Sequence, residues 1–152
     1  MTFRQRGFTL LEMLVTATVL VILASAVVPM AKNGIRRQRE LELRRVLREM
    51  RTAIDTYKEM ADQKKIKAPP VENQGYPESL EILVEGTPAM GKDAKVRFLR
   101  RIPVDPITGR AEWGMRSVSD DPASSSWGGG CVFDVYSLAT GTGSNGKPYR
   151  EW

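Results

Sequence analysis

The chain has 152 residues, room for about one domain, with 41% hydrophobic and 27% charged residues and a formal net charge of +5. It contains no histidine and a single cysteine, Cys131, which excludes Ser-His-Asp catalysis, most zinc sites and an internal disulfide. Eight of the basic residues fall within residues 32–51. That stretch has no aromatic residue, so it lacks the stacking side chains of many nucleic-acid-binding surfaces, and we expect no nucleic-acid partner.

Residues 8–31 form an apolar segment with one charged residue, Glu12. Twenty-four helical residues reach about 35 Å, enough to cross a bilayer core of ~30 Å. The segment therefore predicts a membrane-spanning helix. An acidic residue inside such a helix is costly, so Glu12 is predicted either to find a partner or to reach water near the membrane face.

Three kinds of N-terminus fit an apolar segment of this length: a plain anchor, a secretory signal peptide and a segment processed for polymerisation. Arg4 and Arg6 before the segment, and the small residues 24–26 within it, favour a signal peptide. Glu12 and the continuation of the apolar run to Met30 disfavour it. A count of flanking basic residues would place the C-terminus in the cytoplasm, because more of them follow the segment than precede it.

The residues around the start of the segment decide among these alternatives. Residues 6–12 read Arg-Gly-Phe-Thr-Leu-Leu-Glu, which resembles the recognition sequence of type IV prepilins and pseudopilins. The resemblance implies a cytoplasmic leader at residues 1–7, cleavage between Gly7 and Phe8 by a membrane prepilin peptidase, and methylation of the new Phe8 amine. It also implies that the rest of the chain lies outside the cytoplasm, against the charge count.

The same resemblance gives Glu12 a role in assembly. A lone buried carboxylate is unfavourable, and pairing with the Phe8 amine of a neighbouring subunit would relieve that cost and fix the register of the stacked helices. Thr9 can supply a further hydrogen bond. Pro29 and Gly34 are the predicted points of helix kinking.

Residues 35–63 are predicted to continue the helix with an amphipathic pattern, because apolar residues recur at steps of three and four. Together with the hydrophobic helix at residues 8–34, this half would make one long helix that carries a head at residues 64–152. The predicted apolar stripe consists of Leu43, Val46, Leu47, Met50, Ile54, Tyr57 and Ala61.

The head is predicted to contain a short helix and a small sheet. Residues 76–83 predict the helix, with Pro77 in its first turn. Residues 85–95 predict a loop, and residues 96–102 fit a helix or an extended segment equally. Residues 112–118 and 132–138 predict strands. The expected fold class is α+β, a long N-terminal helix with a small antiparallel sheet.

Several head segments resemble the major pseudopilin of type II secretion systems, namely residues 101–106, 112–116, 132–137, 141–146 and 149–152. This resemblance implies a structural subunit of a periplasmic filament that drives folded proteins across the outer membrane. The implied partners are copies of itself, other pseudopilins, the prepilin peptidase, an inner-membrane assembly platform and the lipid bilayer. The alternatives are a type IV pilus subunit for adhesion or motility, and a membrane-anchored periplasmic enzyme or binding domain.

One departure from that family concerns metal binding. The best-known major pseudopilins hold calcium in the C-terminal loop, partly through aspartates, whereas residues 138–146 here contain no carboxylate. Calcium takes six to eight oxygen ligands, normally including Asp or Glu. We therefore predict no cofactor, with Asp134, Ser144 and Asn145 as the weak candidates for a calcium site.

No catalytic constellation is predicted. Asp105, between two prolines, is expected to form a turn, and Asp120 with Asp121 to be a solvated loop pair rather than an acid/base pair. Ser137 lacks a nucleophile elbow. Trp113 and Trp127 are expected to be core or subunit-contact aromatics, and Cys131 a small buried hydrophobe.

Overall fold

The computed structural model describes residues 7–91 and 93–152, with the backbone alone for residues 26–32. The leader predicted at residues 1–7 lies outside the described residues except for Gly7, as do Arg4 and Arg6. The chain divides into two compact units, with the boundary in sequence between Gln38 and Arg39.

One helix dominates the structure: α1 runs from Leu10 to Asp62, 53 residues. The prediction of one long helix through the apolar and amphipathic halves is confirmed. Within the residues described here, no helix has the length and hydropathy needed to cross a membrane, so the predicted span stays a prediction.

The amphipathic half of α1 supplies the core of the second unit. All seven residues of the predicted stripe are buried, and Leu43, Met50 and Ile54 have no exposed surface. Side chains three and four positions apart share one helix face, so a stripe of this spacing covers a single continuous surface. Leu80, Leu83, Leu99, Trp113, Val132 and Val135 pack with it in one cluster.

The short helix of the head begins later than predicted. It is α2, Leu80–Glu85, and Ser79 occupies its N-cap position. Pro77 is therefore outside the helix, and the prediction that it lies in the first turn is wrong. Pro77 is fully buried, and its carbonyl accepts a hydrogen bond from Val132 N–H at 2.7 Å. This tertiary contact ties Pro77 to the segment that leads into the second sheet.

The segment predicted as loop at residues 85–95 contains a strand. Strand β1 (Thr87–Pro88) pairs antiparallel with β2 (Lys95–Val96). Gly86, with φ of +85°, leads from α2 into this hairpin, and a Cβ there would lie 2.8 Å from the carbonyl oxygen of Val96. The ambiguous segment at residues 96–102 is extended at its start.

The predicted strands of the C-terminal third are confirmed with shorter bounds. Strand β3 (Trp113–Arg116) pairs antiparallel with β4 (Asp134–Ser137), in a register that sets Gly114 opposite Tyr136. A 3₁₀ helix, Tyr149–Glu151, follows near the C-terminus, and another, Val71–Asn73, precedes α2. The α+β class is confirmed, with two small antiparallel sheets in the described part of the chain.

Candidate assembly site

The predicted cleavage point lies in a short non-helical segment directly before α1. Gly7, Phe8 and Thr9 precede the first helical residue, Leu10, and all three are exposed. A Cβ at Gly7 would meet no atom within 4 Å. The Gly7–Phe8 bond therefore lies in accessible backbone outside the helix.

Thr9 caps the helix. Its Oγ1 accepts a hydrogen bond from Glu12 N–H at 3.2 Å, and its carbonyl accepts one from Met13 N–H at 3.1 Å. Thr9 is thus the N-cap residue and Glu12 the third helical residue, the spacing of a capping box. This hydrogen bond is made within its own helix, and the further hydrogen bond predicted for Thr9 at the subunit contact stays a prediction.

Glu12 lies in the first helical turn rather than in the middle of the helix. A carboxylate there interacts favourably with the positive end of the helix dipole, by about 0.3–1 kcal/mol when exposed. Glu12 is exposed, and among the described residues its carboxylate has no ion-pair partner. Nothing in the part of the chain that the structure describes therefore pairs directly with its charge.

The apolar residues on both sides of Glu12 are exposed on every face of the helix. Leu10 is 88% exposed and Leu11 71%, and the run continues through Met13, Leu14, Val15, Val19, Leu20, Val21, Ile22 and Leu23. A helix that is apolar all round is normally buried in a protein interior or in lipid. This surface is far larger than a monomeric protein usually exposes.

The two predicted weak points do not end the helix. Helical backbone continues through Pro29 and Gly34, and a Cβ at Gly34 would meet nothing within 4 Å. A bend at either residue stays a prediction.

A second group of polar residues ties the C-terminal tail to α1. Glu40 is 3% exposed, and its carboxylate accepts hydrogen bonds from Ser144 N–H and Tyr149 O–H, each at 3.0 Å, and a short one from Ser144 Oγ. One helix turn on, Arg44 lies over the ring of Trp152, 4.4 Å from its centroid. The C-terminal Trp152 is thus packed on the head.

Asp134 is held between two arginines. Arg51 pairs with it at 2.7 Å and also donates to the carbonyl oxygens of Val135 and Trp152. Arg116, almost fully buried, approaches Asp134 at 3.4 Å and donates to the carbonyl oxygen of Arg150. These contacts join α1, both strands of the second sheet and the tail.

The three weak candidates for a calcium site each bond to a different protein partner. Asp134 pairs with arginines, Ser144 donates to Glu40, and Asn145 Oδ1 accepts from Lys147 N–H at 3.0 Å. Among the described residues, no group of three acidic, histidine or cysteine side chains is arranged to hold a metal ion.

The rejected catalytic candidates have structural partners. Asp105 is fully buried and forms the predicted turn, accepting from Ile107 N–H at 2.7 Å; Ser137 Oγ donates to its other oxygen at 2.5 Å. Asp120 is not merely solvated, because it accepts from the N–H groups of Ser117 and Gly128. These hydrogen bonds lower the pKa of Asp120.

The aromatic and cysteine predictions hold with one distinction. Trp113 and Cys131 are buried, whereas Trp127 is 40% exposed and donates from its ring nitrogen to the Cys131 carbonyl. Trp127 is therefore not a core residue.

Sequence reasoning missed Glu40. The residue stands among arginines, in a stretch whose composition is typical of a solvated basic face. Its position gave a signal, because it continues the apolar stripe by a step of three before Leu43. An acidic residue on a buried helix face requires donors from elsewhere in the fold.

Comparisons with known proteins agree with this geometry. Residues 2–28 match the family model described as "Prokaryotic N-terminal methylation motif". The chain is 30% identical over 127 residues to type II secretion system core protein G of Escherichia coli K12, covering 80% of this chain and 75% of the relative. It is 29% identical over 150 residues to the protein of that name from Pseudomonas aeruginosa, covering 95% of this chain and 87% of the relative. None of the solved structures gives a significant match.

Proposed function

The chain belongs to the family of type II secretion system core protein G, and from this membership we propose that it is a structural subunit of a secretion pseudopilus. The observation that carries the proposal is the match to the methylation motif over residues 2–28, which include the start of a capped helix whose apolar residues are exposed as far as residue 25. In this role the protein performs no reaction of its own. It would be the substrate of a processing peptidase, and its copies would assemble into a filament.

Processing would act on the segment before α1. A prepilin peptidase would hydrolyse the Gly7–Phe8 bond, and the new Phe8 amine would then be methylated. The exposure of Gly7 and the start of the helix three residues later support this assignment, because a bond inside the helix would require unfolding first. Cleavage leaves a positive amine two residues before the first helical residue.

Assembly would bury the exposed apolar surface of α1 against other copies and against related pseudopilins. Burial of apolar area supplies cohesion, at roughly 25 cal/mol per Å², but it does not select a register. Glu12 would select it by pairing with the Phe8 amine of an adjacent copy. Before assembly the same surface would be stored in the inner-membrane bilayer, from which a platform protein would extract the subunit toward the periplasm.

The magnitude of this pairing follows from burial. Breaking a buried ion pair by removing one partner costs about 3–5 kcal/mol, because the other charge is left uncompensated. That cost would raise the critical concentration for polymerisation by roughly 10²- to 4×10³-fold. Loss of Glu12 should therefore abolish filaments at ordinary expression levels.

The pilus alternative shares this N-terminal chemistry, so the motif alone does not separate the two. Both relatives described above are named for secretion, which favours the secretion pseudopilus. A membrane-anchored enzyme has less support, since the sequence offers no histidine and the acidic candidates Asp105 and Asp120 are held by structural hydrogen bonds.

Intact-mass measurement tests processing. Protein purified from a host with an active prepilin peptidase should begin at Phe8 and be one methyl group heavier than the unmodified chain. Protein from a host without that peptidase is the control and should keep residues 1–7. A chain that keeps its leader in both hosts, or begins after Ala26, would overturn the proposal.

Filament formation tests the register role. Glu12→Leu should fractionate with membranes as the natural chain does but form no filaments visible by electron microscopy. Thr16→Leu is the matched control, because it makes the same polar-to-apolar change one turn further along the same helix face. Wild-type numbers of filaments from Glu12→Leu would refute the register role.

A further inference from the structure

The buried Glu40 carboxylate closes a loop distant in sequence. Its donors lie at Ser144 and Tyr149, more than a hundred residues along the chain. Glu40 is 3% exposed, so its charge is removed from water and must be stabilised by these donors. The carboxylate is therefore part of how the tail is fixed and not a surface charge.

The loop that it holds also carries backbone hydrogen bonds of its own, from Gly146 N–H to the Gly143 carbonyl at 3.0 Å and from Tyr149 N–H to the Gly141 carbonyl at 3.2 Å. Residues 141–146 contain three glycines, and they are joined by the Gly143 N–H bond to the Lys147 carbonyl at 2.8 Å and an isolated bridge between Thr142 and Pro148. Gly143 lies so close to the ring of Trp152 that a Cβ would overlap it. Fixing this loop consequently also fixes the last residue of the chain.

The donor set of the loop does not fit calcium. The loop offers hydroxyl, amide and carbonyl oxygens, and Asp134 is paired with Arg51 and Arg116. Calcium needs carboxylates that are free to bind it. The carboxylate nearest the loop in the hydrogen-bond network, Glu40, accepts from N–H and O–H donors instead.

We propose that Glu40 replaces the metal ion as the element that closes the C-terminal loop, so that this head folds and stays ordered independently of calcium. A bound cation would be coordinated by oxygen acceptors of the loop. Here the Glu40 carboxylate on α1 instead accepts hydrogen bonds from donors of the loop and the tail. The proposal concerns the isolated subunit and does not depend on pseudopilus assembly, so each can fail without the other.

Hydrogen–deuterium exchange of the processed full-length chain in detergent tests the proposal. Exchange of the peptide covering residues 141–149 should be the same in millimolar calcium and in excess chelator. In Glu40→Gln it should be about tenfold faster in both, since a charged acceptor is lost. Glu49→Gln, an exposed carboxylate on the same helix, is the control and should match the natural chain.

Two results would overturn the proposal: slower exchange or a higher melting temperature of the natural chain in calcium, or unchanged exchange in Glu40→Gln. If Glu40→Gln does not fold, Ser144→Ala supplies the test, because it removes one hydroxyl donor and keeps the backbone N–H. It should accelerate exchange in the same peptide with no response to calcium. A calcium response or unchanged exchange in Ser144→Ala would count equally against the proposal.

Discussion

The substitution Gly114→Ala should destabilise the head because of one close approach between strands. Gly114 lies directly opposite Tyr136 in the β3–β4 pair. A Cβ at position 114 would lie 2.6 Å from Tyr136 Cε1 and closer still to Cζ and Cε2, where ordinary contact begins at 3.4 Å. The ring would have to move by roughly 1 Å, the difference between ordinary contact and this approach.

The ring is not free to move. Tyr136 is 4% exposed, its hydroxyl donates to the Ser125 carbonyl at 3.0 Å, and the Arg116 guanidinium lies 4.2 Å from its ring centroid. Overpacking of this kind costs about 1–3 kcal/mol. The opposing gain, from the smaller unfolded-state entropy of alanine, is about 0.4–1 kcal/mol where the backbone conformation suits it. The clash should win, and the midpoint of thermal unfolding should fall by about 2–4 °C for a net loss of ~1 kcal/mol.

A double-mutant cycle isolates the ring as the cause. In a Tyr136→Ala background, Gly114→Ala should be neutral or slightly stabilising, because no ring occupies the space. Unfolding of all four proteins would be followed by circular dichroism in the same detergent. An equal loss of stability from Gly114→Ala in both backgrounds, or a gain in the natural background, would refute the reasoning.

Three further substitutions test other parts of the molecule. Thr9→Ala should cost the first turn of α1 about 1 kcal/mol, seen as faster amide exchange at residues 10–13 with no change near residue 50; equal exchange would show that Thr9 does not cap the helix. Gly34→Ala should stabilise the surrounding helix by up to about 1 kcal/mol, measured as slower exchange at residues 30–38, and a drop in filament yield with it would identify Gly34 as a needed weak point. Asp120→Asn should loosen its loop at neutral pH: because the pKa of Asp120 is lowered in the folded chain, its contribution is present above the unfolded pKa and is lost as pH falls through the folded pKa. Protease nicking between residues 119 and 128 should therefore differ between the two proteins at neutral pH and converge in acid, and a difference that persists in acid would contradict the ionic role.

Long-range periodicity made the main helix predictable. The stripe from Leu43 to Ala61 spans five helical turns, and each turn places an apolar residue on the same face. A pattern of that length identifies a helix even where single residues have a low helix propensity. The strands at Trp113–Arg116 and Asp134–Ser137 carried β-branched and aromatic residues and were also found. Strands β1 and β2 have two residues each, too few for any alternation to show.

The errors arose where tertiary contacts decide the local structure. Nothing near Pro77 in sequence reveals that its carbonyl will accept a hydrogen bond from Val132, 55 positions later. The network around Asp134 was missed for the same reason, since its partners Arg51 and Arg116 lie on different elements. Charge alone showed that arginines were abundant, but it did not show which of them would be buried.

Two glutamates on one helix show how an acidic side chain can serve either the fold or the assembly. Glu40 interrupts a buried face, and the same chain supplies its donors at Ser144 and Tyr149, so its requirement is met on folding. Glu12 interrupts an apolar face that is still exposed, and the described part of the chain supplies its carboxylate with no ion-pair partner. Water solvates Glu12 only while its surroundings stay open. If the proposed assembly buries the apolar residues around it, an unpaired Glu12 carboxylate would be costly, and a neighbouring copy cleaved after Gly7 would carry a positive group at its first residue to relieve that cost.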